Sequence, residues 1–266
     1  MNAVVSKDGT KIAYEKKGSG KPVILVDGAL TYRSFGPMPG LAGLLAPYFT
    51  VYTYDRRGRG ESSNTKPYAV EREVEDIEAL IQEAGGGAFV YGISSGACLA
   101  LEAAIKLDDK IKKLALYEPP YITEKAAQQD WKEYTKQIVE LLKANRRGDA
   151  VVRFMQFVRT PTEQIEGMRQ SPMWSIFEAV APTLVYDAAV MGEDRMAPVK
   201  RVANIKIPAM VMDGGANLMD RSFMHQSATA LAKAMPHAQQ RTLEGQTHDV
   251  NLEVLTPVLV EFFSKH

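Results

Sequence analysis

Gly92-Ile93-Ser94-Ser95-Gly96 combines a hydroxyl nucleophile with glycines two residues to either side. The apolar run Ala88-Phe89-Val90-Tyr91 precedes it, and a helical stretch from Ala97 to Leu107 follows. A serine on so tight a strand-to-helix turn projects Oγ at the carboxyl edge of a sheet, and the flanking glycines let neighbouring chain pass close. The N–H of Ser95 then opens the helix and points at the anion that forms on an attacked carbonyl. Such a serine needs a base. Of the four histidines, His225 falls inside a predicted helix, His237 in a turn after Pro236, and His266 at the end of the chain. His248 lies in the polar loop Gly245-Gln246-Thr247-His248-Asp249, between the last strand and the last helix. From there an imidazole can swing over the serine, so His248 is the expected general base, taking the hydroxyl proton and returning it to the leaving group.

The elements that must position these residues alternate along the chain. Thr10 to Lys16 reads as a hairpin edge strand, and Pro22 to Val26 and Thr50 to Tyr54 as buried strands. Val70 to Ala84 carries Val74, Ile77, Leu80 and Ile81 at helical spacing and stops at Gly85-Gly86-Gly87. Strand Ala88 to Tyr91, the helix after Ser94 and strand Lys113 to Tyr117 follow. Later come strand Ala209 to Asp213, helix Ser222 to Met235, strand Gln239 to Leu243 and a final helix from Val250 to Phe263. Strands alternating with helices predict an α/β fold, a mostly parallel central sheet with helices on both faces. Residues 121–200 break the rhythm: helical in composition, interrupted by Pro161, Pro172, Pro182 and Pro198, and home to both tryptophans. They read as a helical cap inserted into a core domain made of residues 1–120 and 201–266. Trp131, Phe154, Phe157, Met173, Trp174 and Phe177 are the expected apolar lining of a pocket beneath that cap, which would favour short uncharged acyl groups.

Composition excludes several classes. The 266 residues carry 32 basic and 32 acidic side chains, a formal net charge of zero, so no electrostatic footprint for nucleic acid or acidic membrane is present. Cys98 is the only cysteine and cannot form an intrachain disulfide. No His/Cys/Asp grouping has metal-ligand spacing, and no cofactor is expected. Gly18-Ser19-Gly20-Lys21-Pro22 has proline where a phosphate loop needs Ser or Thr, and reads as a turn. Met1 to Gly9 lacks a signal-peptide pattern and no run reaches transmembrane length, so a cytoplasmic protein, monomer or homodimer, is the expectation.

Tyr54-Asp55-Arg56-Arg57-Gly58-Arg59-Gly60-Glu61-Ser62 and the serine turn together make the chain resemble the α/β-hydrolase superfamily over essentially its whole length. The resemblance implies an oxyanion hole built from backbone N–H groups at Gly28, Ala29 and Ser95. Asp27 stands where that family usually has histidine, and either anchors the loop or touches substrate. The usual triad acid follows the penultimate strand, but Gly214-Gly215-Ala216-Asn217 has asparagine there, and a neutral amide gives an imidazolium no charge. Glu118, in Leu116-Tyr117-Glu118-Pro119-Pro120, occupies the alternative position at the end of the strand after the serine helix. Haloalkane dehalogenases and zearalenone-type lactone hydrolases are similar in placing their acid there, and the latter also resemble this chain in the aspartate-glycine loop. The expected triad is Ser94, His248 and Glu118, with Asp213 and Asp220 as the rival acids. The chemistry implied is hydrolysis of a small-molecule carboxylic ester or lactone through an acyl-enzyme. Thioester hydrolysis, carbon–carbon bond hydrolysis, acyl transfer, and a slow-turnover ligand receptor share the same residues.

Overall fold

The structure, a computed structural model, describes residues 2–217 and 222–265. Its strands, β1 (Asn2–Val5), β2 (Lys11–Lys17), β3 (Pro22–Val26), β4 (Thr50–Tyr54), β5 (Ala88–Ile93), β6 (Ile111–Tyr117), β7 (Ala209–Gly214) and β8 (Ala238–Leu243), form one sheet. The order across it is β1-β2-β4-β3-β5-β6-β7-β8, parallel from β4 to β8, with β1 and β2 antiparallel at one edge. The inner strands are continuous apolar runs because both of their faces are covered. On one face lie α2 (Val70–Glu83), α3 (Ser95–Leu107) and α10 (Ser222–Ala234), whose Ile77, Leu80, Leu101, Ala104 and Leu231 pack on Ile24, Val90, Leu114 and Val211. On the other face α1 (Met38–Leu45) and α11 (Leu252–Ser264) bring Leu41, Leu45, Leu255, Leu259 and Phe263 onto Val23, Phe89, Ala115 and Met210. Each such fully buried Leu, Ile, Val, Phe or Met side chain contributes about 1.5–3 kcal/mol.

Two elements were not expected. The strand β1 buries little of itself and exists because the free edge of β2 offers it a ladder, with Asn2 opposite Tyr14 and Val5 opposite Lys11. Helix α1 contains Pro39, Gly40 and Gly43, a poor helix sequence by propensity. Packing overrides propensity: a Cβ on Gly40 would come within 2.9 Å of Leu252 Cδ1, so glycine lets α1 and α11 approach.

Between β6 and β7 the chain makes helices only: α4 (Gln128–Lys143), α5 (Arg147–Phe157), α6 (Thr162–Arg169), α7 (Trp174–Val180), α8 (Leu184–Met191) and the short α9 (Val199–Val202), apart from short 3-10 turns. An isolated bridge, Ile122 with Met196, ties the two ends of this insert. Its apolar cluster runs from Trp131, Tyr134 and Ile138 through Val151 and Ile165 to Leu184, and it includes Leu30, Ala29 and Tyr32 from the loop after β3. The insert therefore packs at the carboxyl edge of the sheet, where that loop lies. No helix among the described residues is long and apolar enough to cross a membrane.

Candidate active site

The strand order reverses direction at β3: the chain goes from β3 to β4 on one side, then returns to place β5 on the other. Such a switch point opens a crevice at the carboxyl ends of the strands. Register decides what meets there. Val26 pairs with Gly92, so the loop Asp27-Gly28-Ala29 and Ser94 leave the sheet side by side. Ile93 pairs with Tyr117 on the next strand, so Glu118 leaves beside Ser94, whose N–H donates to the Tyr117 carbonyl at 3.0 Å.

Ser94 sits at φ 56°, ψ −130°, a strained conformation for a residue with a Cβ. The glycines around it are required by close approach. A Cβ on Gly92 would lie 2.4 Å from the Gly96 carbonyl oxygen, and one on Gly96 would lie 2.4 Å from the carbonyl oxygens of both Val26 and Asp27. Glycine at 96 thus lets the first turn of α3 rest against the end of β3. Gly28 faces the serine directly, since a Cβ there would be 3.3 Å from Ser94 Cβ and 3.8 Å from Oγ.

His248 Nδ1 lies 2.6 Å from Glu118 Oε2. Glu118 is fully buried, at φ 45°, and its Oε1 accepts the Gly214 N–H at 2.9 Å. The histidine loop is held from below: the Tyr117 hydroxyl donates to the Thr247 carbonyl at 2.6 Å, and the Ala216 N–H to Gln246 at 3.0 Å. Asp213, one of the rival acids, is engaged elsewhere. It is buried on the α10 side of β7, 2.9 Å from His225 Nδ1 and within 3.2 Å of the Thr242 hydroxyl. Asn217 ends a 3-10 turn after β7, and Asp220 lies outside the described residues, as does His266.

The loop after β3 holds one surprise. The Gly28 N–H donates to Asp27 Oδ1 at 2.8 Å, so of the three expected oxyanion donors Gly28 has its N–H turned to its own neighbour. Of the expected donors, the Ala29 and Ser95 N–H groups remain the candidates. Asp27 is an anchor of its loop in this arrangement, and burial pushes its carboxyl up to about 6, against the pull of Thr31, the Gly28 N–H, Arg59 and Arg56.

The expected pocket residues divide. Trp131 is completely buried, its indole N–H donating to the Gly192 carbonyl at 2.9 Å and its ring packed on Tyr134 and Phe157, so it belongs to the interior of the insert rather than to a pocket wall. A large ring with a satisfied N–H is well suited to that place. Phe154, Phe157, Trp174 and Phe177 are half-buried, and Met173 is exposed. Phe177 meets Phe35, in the stretch after β3, edge to face at 5.3 Å.

Sequence reasoning missed the ionic group behind the serine turn. Arg56, Arg57 and Arg59, read only as a strand-end loop, are all buried. Asp187 of α8 is buried among them, accepting from Arg56 Nη1 at 2.6 Å, from Arg59 Nη2 at 2.7 Å and from the Ser95 hydroxyl at 2.7 Å. Arg59 also donates to the Gly28 and Thr31 carbonyls, and Arg56 to Glu73. Burial pushes Asp187 up, but Arg59 and Arg56, with the Ser95 hydroxyl, outweigh it and hold the carboxyl below its ordinary value. One carboxylate of the insert thus clamps both candidate oxyanion loops. The signal was present: a lone acid in the apolar run Leu184-Val185-Tyr186-Asp187-Ala188-Ala189-Val190-Met191 is rarely buried without a cationic partner.

Residues 23–259 match the profile of the alpha/beta hydrolase family. The chain belongs to that family. This hydrolase is similar to the crystal structure of an alpha/beta hydrolase from Sphaerobacter thermophilus DSM 20745, 49% identical, covering 99% of this chain and 100% of that one with a TM-score of 0.88. A thermophilic esterase from Thermogutta terrifontis, solved with malate bound, shares the fold at 22% identity and TM-score 0.76, over 98% of this chain and 97% of that one. Among curated relatives, the uncharacterized hydrolase YraK of Bacillus subtilis (strain 168) is 29% identical over 163 residues, 60% of this chain. The match spans only 58% of the length of YraK. No group of three or more His, Cys, Asp or Glu side chains among the described residues could hold a metal ion.

Proposed function

We propose that this hydrolase cleaves a carboxylic ester or lactone through an acyl-enzyme on Ser94, with His248 as base and Glu118 as the acid that orients it. The observation that carries the reading is the 2.6 Å approach of His248 Nδ1 to the fully buried Glu118 carboxylate, on the strand next to the strained serine. A carboxylate there selects the tautomer with its proton on Nδ1, which leaves Nε2 free to accept. In the first half-reaction Ser94 Oγ bonds to the substrate carbonyl carbon and its proton passes to His248 Nε2. The carbonyl π electrons move onto oxygen, where the Ala29 and Ser95 N–H groups donate to the resulting anion. Collapse breaks the carbon–oxygen bond, and His248 returns the proton to the departing oxygen. Water then repeats the sequence on the acyl-enzyme, giving the acid and free Ser94.

Serine at the turn favours this chemistry over displacement on an alkyl carbon, which needs a carboxylate nucleophile. The insert at residues 121–200 acts as the cap in this reading, its Phe177 resting on Phe35 and its Asp187 fixing Ser95. The test is pre-steady-state hydrolysis of a chromogenic acetyl ester. A burst equal to the enzyme concentration, absent in Ser94→Ala, is the expected result. Turnover that survives Ser94→Ala would refute it.

A further inference from the structure

Buried guanidinium groups in this chain come with carboxylates. Arg56 has Glu73 and Asp187, Arg57 has Asp8 and Asp76, Arg59 has Asp187, and Arg33 has Glu15, Asp55 and Glu61. Arg195 breaks the pattern. Its residue is 9% exposed, yet no carboxylate among the described residues pairs with it. Its Nε donates to the Pro120 carbonyl at 2.5 Å, and its two terminal nitrogens make no hydrogen bond to the described chain. Neither nitrogen is among the fully buried side-chain atoms that lack a partner. Removing a charge from water without an anion is expensive, and burial pulls this guanidinium down to about 10, which still leaves it cationic at neutral pH.

The backbone is bent to hold it there. Arg195 has φ 55°, a left-handed conformation uncommon for a side-chain-bearing residue, in the turn that follows Gly192. Its neighbours Asp194 and Met196 line an outer groove, together with Glu102, Tyr121 and Arg201, and Arg195 does not. Its side chain goes inward, where three rings surround the guanidinium carbon: Phe157 at 5.1 Å, Phe223 at 5.2 Å and Trp131 at 5.3 Å. Aromatic faces stabilise a cation without using its N–H groups, so the donors remain free for a planar anion. The guanidinium is tied to the segment that leaves β6 after the candidate acid. Pro120, whose carbonyl Arg195 holds, is two residues past Glu118.

We infer that Arg195 is a specificity-determining residue that binds a carboxylate of the substrate, and that the substrate is an ester or lactone bearing a free carboxylate a few bonds from the scissile carbonyl. This rests on the acyl-enzyme reading above and sharpens it. The expected preference for uncharged acyl groups, drawn from the aromatic residues of the insert, reverses once the unpaired cation behind those rings is counted. A guanidinium presents two parallel N–H donors to a carboxylate, and loss of a charge-assisted pair in a water-poor site lowers affinity on the order of 10²-fold.

The experiment compares matched esters on the intact protein. One pair carries the acid on the acyl side, 4-nitrophenyl hydrogen glutarate against its methyl ester. A second carries it on the leaving group, 3-acetoxybenzoate against 3-acetoxybenzamide. In the wild type, kcat/KM for one acidic ester should exceed that of its neutral counterpart at least about tenfold. Arg195→Met should lower that acid-to-neutral ratio on the order of 10²-fold, chiefly through KM, and Arg195→Lys should restore part of it. A wild-type enzyme with no acid preference in either pair overturns the inference even if the variants fail to fold. An unchanged ratio in folded Arg195→Met also overturns it, leaving the guanidinium a structural partner of three rings. Calorimetry of glutarate with Ser94→Ala separates this from the catalytic reading, since binding needs no turnover. Glutarate binding lost in Ser94→Ala/Arg195→Met supports the carboxylate site whether or not Ser94 is the nucleophile, and no binding to Ser94→Ala counts against it.

Discussion

Replacing Glu118 by glutamine separates charge from shape in the account of His248. Among the described residues the carboxylate accepts the Gly214 N–H at 2.9 Å on Oε1 and faces His248 Nδ1 at 2.6 Å on Oε2. Glutamine has one acceptor oxygen and one donor nitrogen for these places. If the amide oxygen keeps the Gly214 N–H, the amide nitrogen faces Nδ1, and the imidazole must carry its proton on Nε2. That tautomer is unable to take the proton of Ser94. If the amide is turned round, its NH2 confronts the Gly214 N–H, which then loses its acceptor in a fully buried place at a cost of about 1–3 kcal/mol. The first arrangement is therefore favoured, and the variant folds with its histidine in the wrong state. With the imidazolium charge also unopposed, kcat should fall on the order of 10⁴-fold, about 5.5 kcal/mol in the barrier. The assay is single-turnover ester hydrolysis with circular dichroism to verify the fold, and nitrogen NMR of His248 to read the tautomer. A loss under tenfold in Glu118→Gln, with Asp213→Asn crippling instead, would make Asp213 and not Glu118 the acid.

Other outcomes follow from the same contacts. Asp187→Ala leaves Arg56 and Arg59 with less compensation and frees the Ser95 hydroxyl. It should lower unfolding free energy by about 3–5 kcal/mol in urea titration, and a loss under 1 kcal/mol would deny the clamp. Asp27 keeps its proton in the folded state up to about pH 6, whereas its ordinary value is 3.8, so the stability it contributes declines as pH rises from about 4 to 6 and the folded protein bears about 3 kcal/mol of penalty above that. Asp27→Asn should accordingly raise stability at pH 8, with the gain vanishing near pH 4; a pH-independent difference in chemical denaturation would contradict the burial argument. Gly96→Ala forces a methyl group onto two carbonyl oxygens 2.4 Å away and should cost about 3 kcal/mol or more in thermal unfolding, while Gly85→Ala, which meets no atom but sits at φ 99°, should cost less.

Most of the sheet was legible because buried strands and their breakers are local signals. The ranges of β3 and β4 coincide with the apolar runs Pro22 to Val26 and Thr50 to Tyr54, and α2 stops where Gly85 begins the triple glycine. The serine turn was legible for the same reason, since two glycines at fixed spacing answer two backbone contacts. What local patterns hid depends on neighbours distant in the chain. Helix α1 forms because Leu252 waits for Gly40, some two hundred residues later, and β1 because the edge of β2 is open. Trp131 carries the same letters whether it faces a ligand or a helix interior, and only packing decides. Asp187 left a trace as a lone acid in an apolar run. Arg195 left none, because Gly192-Glu193-Asp194-Arg195 reads as an ordinary solvated turn.

A covalent acyl group on Ser94 is observable by mass spectrometry. Rapid acid quench during turnover of a chromogenic acetyl ester should trap the protein about 42 Da heavier, one acetyl in place of hydrogen, with the adduct mapped to the peptide containing Gly92-Ile93-Ser94-Ser95-Gly96. The adduct should be absent in Ser94→Ala. It should also accumulate more slowly in Glu118→Gln, on the order of 10⁴-fold in rate. An acetyl group on Ser95 or His225, or steady turnover with no adduct and full activity in Ser94→Ala, would contradict the account.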